Sequence, residues 1–161
     1  MSTVKNRGKI FDALLEMHGV GLMAAGSGTA STAIDLGGGA LQRDTQVFAE
    51  AKLIIDISVC SSAATTEHYE IWLQGSHDST FTTFHTLLAI KLGAIATGID
   101  EFLNCRVSSE ATWPGPAALP IRMTYPICND FAGTVYRWLR IYTAVCATVA
   151  TGINYYAFLS I

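Results

Sequence analysis

Apolar and polar residues alternate with a period of two along much of the chain, the pattern of strands that bury one face. Between Lys52 and Cys60, Leu53, Ile55, Ile57 and Val59 point one way while Asp56 and Ser58 point the other. From His68 to Gly75, Tyr69, Ile71 and Leu73 share a face opposite His68, Glu70 and Gln74. The stretch Leu119 to Tyr125 sets Leu119, Ile121 and Met123 against Arg122 and Thr124. Between Arg137 and Val145, Leu139, Ile141 and Val145 alternate with Trp138, Arg140 and Tyr142. Further strands are predicted at Thr32–Leu36, His85–Leu92 and Ile153–Leu159.

Turn chemistry separates these runs: Gly37-Gly38-Gly39, Gly75-Ser76-His77-Asp78, Trp113-Pro114-Gly115-Pro116, Asn129-Asp130 and Ala132-Gly133. Proline fixes φ and glycine permits positive φ, so both punctuate loops. Seven or eight short strands so spaced predict an all-β fold, an antiparallel β-sandwich with jelly-roll topology as the leading candidate. The whole chain, 1–161, reads as a single domain, with an N-terminal arm over 1–30 and the sandwich over 31–161. Only the arm has a helical alternative: Ile10, Phe11, Leu14 and Leu15 recur at helical spacing, and Gly19 is placed to end a short helix. The same stretch also reads as an extended arm lying across the sandwich.

Composition changes the picture of the surface. Half of the residues are hydrophobic and only 14% are charged, against about 25% in an average soluble domain. Charge normally keeps a small domain apart from its neighbours, so much of this surface is expected to be covered in an assembly. A membrane span is not expected, because no stretch approaches the roughly 20 apolar residues it needs. The run from Ile141 to Ile161 is divided by Thr143, Thr148, Thr151, Gly152, Asn154 and Ser160. No apolar core of signal-peptide length follows Lys5, Arg7 and Lys9, which predicts synthesis in the cytoplasm. The net charge is −3 and the ten basic residues stand singly. Nucleic-acid binding, which relies on clustered cations, is therefore not expected. Cys60, Cys105, Cys128 and Cys146 lie far apart and are expected to be reduced and unliganded.

Candidate chemistry is sparse. The glycines at 37–39 follow a strand but carry neither a P-loop lysine nor a GxGxxG pattern, so they read as a turn. His18, His68, His77 and His85 show no metal-ligand spacing, and His77-Asp78 reads as a solvated turn in which Asp bonds its own backbone. No G-x-S-x-G motif marks a nucleophile. Asp56, Glu67 and Glu70 can be drawn together as an acid–base pair, but the solvent face of a sheet carries the same residues. We assign no catalytic, cofactor-binding or metal-binding residue, and no enzyme activity is expected.

The anomaly is large apolar side chains on faces that should be wet. Tyr136, Trp138 and Tyr142 lie opposite Leu139 and Ile141. Tyr156 and Phe158 oppose Ile153, Tyr155 and Leu159, and Trp72 shares the otherwise polar face of its strand. Central strands lying under a long loop would show this pattern too. Low charge favours a protein–protein interface, where Trp and Tyr are enriched and Lys is depleted. The interface candidates are thus Trp72, Tyr136, Trp138, Tyr142, Tyr156 and Phe158.

The order Ala30-Ser31-Thr32-Ala33-Ile34-Asp35-Leu36-Gly37, Arg43-Asp44 and Gln74-Gly75-Ser76-x-Asp78 resembles the capsid decoration (cement) proteins of tailed phages. The closing pattern Tyr136-Arg137-x-Leu139-Arg140-Ile141-Tyr142, then Ile153-Asn154-Tyr155, is similar to the same group, and the resemblance covers roughly 10–161. It implies a jelly-roll homodimer or homotrimer on the outer surface of the virion, bound to the phage major capsid protein and stabilising the shell without catalysis. It transfers no site residue. A second resemblance joins Gly75-Ser76-His77-Asp78-Ser79-Thr80-Phe81 to Tyr136-Arg137-Trp138-Leu139-Arg140-Ile141, which is similar to discoidin-like, galactose-binding domains. It implies a carbohydrate-binding module whose Trp and Tyr stack on sugars. A subunit of the capsid shell itself, or of a tail appendage, is the third reading.

Overall fold

A computed structural model describes residues 15–19, 22–23, 29–37, 50–60, 68–93, 120–146 and 152–160. They form eleven strands: β1 (Glu16–His18), β2 (Thr29–Ala30), β3 (Ile34–Asp35), β4 (Glu50–Cys60), β5 (His68–Ser76), β6 (His85–Gly93), β7 (Ile121–Cys128), β8 (Asp130–Phe131), β9 (Thr134–Val135), β10 (Trp138–Cys146) and β11 (Ile153–Ser160). The first sheet has the order β1-β11-β4-β7, and the second β2-β10-β5-β6 with β3 also paired to β10. All pairings are antiparallel. The expected all-β antiparallel sandwich is thus the observed architecture. Setting aside the short β3, β8 and β9, the pairing is nested: β1 lies beside β11, β2 beside β10, β4 beside β7, and β5 beside β6.

The alternation read from sequence is what drives the two sheets together. Leu53, Ile55 and Ile57 of β4, Met123, Tyr125 and Ile127 of β7, and Ile153, Tyr155, Ala157 and Leu159 of β11 are buried on the inner face of the first sheet. Tyr69, Ile71 and Leu73 of β5, Leu88, Ile90 and Leu92 of β6, and Leu139 and Ile141 of β10 meet them from the second. Full burial of side chains of this size contributes roughly 1.5–3 kcal/mol each before ordering entropy is charged. A polar contact crosses this core where the hydroxyls of Thr143 on β10 and Tyr155 on β11 share a hydrogen bond. Both residues are almost wholly buried, so each satisfies the other.

Several local readings are corrected. Val59 does not share the face of Leu53, Ile55 and Ile57. Ile57 pairs with Tyr155, but Val59 pairs with the adjacent Asn154, so β4 carries an extra residue at this point. Such a bulge shifts the pleat by one position, and Cys60, 2% exposed, takes the buried place while Val59 is half-buried. The strand expected over Thr32–Leu36 is shorter: β3 holds only Ile34 and Asp35, and Ser31 bonds to the backbone of Ile141 between β2 and β3. Within the segment read as an arm, Glu16–His18 forms an edge strand on β11 and Thr29–Ala30 one on β10. Ile10, Phe11 and Leu14, which carried the helical alternative, lie outside the described residues, as do Leu119 and Cys105. Cys60 and Cys128 are buried and not joined in a disulfide.

The Ala132-Gly133 turn closes the β8–β9 hairpin with positive φ at both positions, 50° and 80°. Two-residue hairpins of this twist favour Asn-Gly, because Asn tolerates the left-handed region and Ala does not. Ala132→Asn is therefore expected to raise stability by about 0.5–1 kcal/mol, measured as a higher denaturation midpoint with an unchanged m-value.

Candidate interaction surfaces

The six aromatic candidates fall in three places. Trp72, Trp138 and Tyr142 project from the outer face of the second sheet, because their registers on β5 and β10 are opposite to those of Ile71, Leu139 and Ile141. Trp72 pairs directly with Tyr142 across the strands, and their rings meet at 5.4 Å with a 30° tilt. The Trp72 indole Nε1 is buried and has no hydrogen-bond partner among the described residues. Trp138 lies one strand end away, opposite Ser76 on one side and Asp35 on the other. The guanidinium of Arg137 stands 5.4 Å from its ring. Arg137 also grips Asp35 through two bonds of 2.7 and 2.8 Å, which holds the Asp35 carboxyl below the usual range. A side chain at position 37 would bring its Cβ within 2.3 Å of the Arg137 Nε, so Gly37 serves this contact by leaving room for it.

Tyr136 does not join Trp138 and Tyr142. It precedes β10 and packs against the core. Its ring lies 5.1 Å from His77 and 6.1 Å from His85, and His85 in turn meets Phe131 at 4.1 Å. Tyr136 therefore belongs to an aromatic cluster with His77 of the β5–β6 loop, His85 at the start of β6 and Phe131 of β8.

Tyr156 and Phe158 lie on the outer face of the first sheet, with ring centroids 5.6 Å apart. Phe158 pairs with Ile54, and Tyr156 with Asp56. The Tyr156 hydroxyl donates to Glu16 Oε2 at 3.3 Å. Beside them Asp56 accepts two bonds of 2.6 Å from Arg122. Opposite this stripe, on the inner side, His18 stacks on Tyr155 at 4.3 Å, and burial lowers its pKa.

The acidic residues that were considered together are apart. Asp56 is bound to Arg122 on the first sheet, and Glu70 lies 3.5 Å from Lys91 on the second. Glu67 is outside the described residues. Among the described residues, no three His, Cys, Asp or Glu side chains converge as a metal site would require.

One cluster escaped sequence reasoning. The β5–β6 loop is tied by Asp78, whose carboxylate accepts from the backbone N–H of Thr80 at 2.9 Å and of Thr82 at 3.3 Å. The Ser76 hydroxyl donates to the carbonyl of Thr83 at 2.7 Å. The bond from the Thr80 hydroxyl, followed by those from the Thr82 and Thr80 backbone N–H groups and the Ser76 hydroxyl, pulls the Asp78 pKa down to about 2, as the local-turn reading of His77-Asp78 implies. The loop holds Phe81 at a φ of 54° beneath Arg140, whose guanidinium carbon stands 4.2 Å from the Phe81 ring and 5.5 Å from that of Phe84. The Arg140 Nε donates to Gln74 Oε1 at 2.8 Å. The available signal was the outward register of Arg140 together with two phenylalanines in an otherwise polar loop, Thr80 to Phe84. No protein-family model, curated protein or solved structure matches the chain.

Proposed function

We propose that this protein is a structural virion protein, a decoration or cement protein that binds the outer capsid surface of a phage and stabilises the shell. The observation that carries the reading is the placement of large aromatic side chains on both outer faces of the sandwich: Trp72, Trp138 and Tyr142 on one, Tyr156 and Phe158 on the other. A cement subunit has two jobs, contact with the coat protein and contact with its own copies, and two opposed aromatic faces suit both. The nested strand order supports a jelly-roll assignment, an architecture of eight strands in two Greek keys that recurs in viral capsid domains and lectins. The low charge favours surfaces that are covered after assembly.

Such a protein stabilises a capsid by linkage, since a ligand that binds only the intact lattice shifts the equilibrium away from the ruptured one. Adding the protein to capsids that lack it is expected to give saturable co-sedimentation at a stoichiometry set by the lattice, together with a higher rupture temperature. A stable monomer that ignores capsids and binds a free glycan would replace this reading with the galactose-binding one. Self-assembly into closed shells would replace it with a shell subunit.

A further inference from the structure

We propose that Arg140 is the receptor for a coat-protein carboxylate carried on an apolar segment, with Phe81 and Phe84 forming the seat around it. This rests on the decoration reading and names the contact within it.

The cation is unusually placed. Lys91, Arg122 and Arg137 each lie against a carboxylate, Glu70, Asp56 and Asp35 respectively. Among the described residues Arg140 has no such partner. Its Nε is engaged by the neutral amide oxygen of Gln74, which is itself 1% exposed. The two aromatic rings strip water from the guanidinium, and this burial lowers its basicity. A partly buried guanidinium that faces no carboxylate among the described residues attracts one, and its planar terminal N–H groups suit a bidentate bond.

The seat is built before the ligand arrives. Phe81 occupies a backbone region that bulky residues rarely adopt, and strain of this kind persists where the surroundings over-determine it. Here Asp78 and Ser76 do so through bonds within the loop. Phe84, in contrast, is 48% exposed beside the cation. An acidic residue flanked by apolar side chains complements both features. A nucleic acid does not, because one isolated arginine provides no run of phosphate contacts. An isologous pairing of this face about Arg140 would set like charge against like. A sugar would find the Gln74 amide 1% exposed and the indole Nε1 of Trp72 buried.

Capsids lacking the protein are the probe, with co-sedimentation read alongside the oligomeric state and thermal midpoint of each variant. Phe84→Glu supplies an internal carboxylate at an exposed position, so folding is retained while the cation is neutralised. It is expected to weaken capsid binding about 30-fold and to bind at least tenfold more weakly than Phe84→Gln, which removes the ring without adding charge. Arg140→Met is expected to match Phe84→Glu. If wild type binds but Phe84→Glu and Phe84→Gln bind alike, the carboxylate inference is overturned and the decoration reading stands. A wild type that fails to sediment with capsids overturns both. A change of oligomeric state in Phe84→Glu, or loss of binding to a free glycan, would assign the seat to a second copy or to a sugar instead and overturn the inference.

Discussion

Tyr155→Ala is expected to destabilise the protein by about 3–5 kcal/mol, seen as a large fall in the denaturation midpoint. Tyr155 is 0% exposed in the first sheet. Its ring is stacked by His18 on one side, and its hydroxyl meets Thr143 of the facing sheet. Truncation leaves a cavity between the sheets and orphans the Thr143 hydroxyl. The two contributions can be separated. Tyr155→Phe keeps the ring and is expected to cost about 1–3 kcal/mol, the penalty of one buried unsatisfied hydroxyl. Adding Thr143→Val to Tyr155→Phe removes both polar groups and is expected to recover most of that loss. If the double variant is as unstable as the sum of the single ones, the hydrogen bond is not what couples the sheets. An alkaline limit follows from the same burial. It pushes the phenol pKa of Tyr155 up and that of Tyr125 up to about 12, from an ordinary value of 10.0. Phenols kept neutral in the fold contribute stability that is fully present below pH 10 and is lost as pH rises through their raised values.

Trp138→Ala is expected to weaken the protein's specific contact by about 2 kcal/mol or more, close to 30-fold in affinity, while leaving the thermal midpoint nearly unchanged. A specific contact buries on the order of 1,200–2,000 Å² in total, and a few aromatic anchors near its centre dominate its energy. The outward register of Trp138, opposite Ser76 and Asp35, places it on a sheet surface and not between the sheets. Its loss therefore removes contact area and the approach of Arg137, not core packing. Sedimentation of the isolated protein, capsid binding and thermal unfolding together locate the effect. The parallel variant Tyr156→Ala, on the opposite face, tests whether that sheet meets a second copy. A large drop in the Trp138→Ala melting temperature with binding retained would make Trp138 a packing residue and sink its interface role.

The β character of the chain was legible in its residues because burial of one strand face leaves a direct mark on sequence. Leu53/Ile55/Ile57, Tyr69/Ile71/Leu73 and Ile153/Tyr155 each occupy alternate positions, and each set is buried. The outward register of Trp72, Trp138, Tyr142, Tyr156 and Phe158 was legible for the same reason, since a pleated strand leaves a residue only two faces. Properties that depend on pairing partners left no such mark. Val59 and Cys60 exchange burial because β11 advances by one residue while β4 advances by two. Asp56 and Glu70 are close in sequence and similar in chemistry, yet the nested strand order assigns them to different sheets. Tyr136 keeps the parity of Trp138 but leaves its face, because it lies in the turn before β10 and packs among His77, His85 and the core. The Arg140 seat joins a strand residue to a loop more than fifty positions earlier. Period-two alternation, a local consequence of the pleat, was thus determined by the sequence alone. Strand order, the bulge and the meeting of Arg140 with Phe81 and Phe84 were decided by tertiary structure, because long-range hydrogen bonds and inter-sheet packing select them and adjacent residues do not encode them.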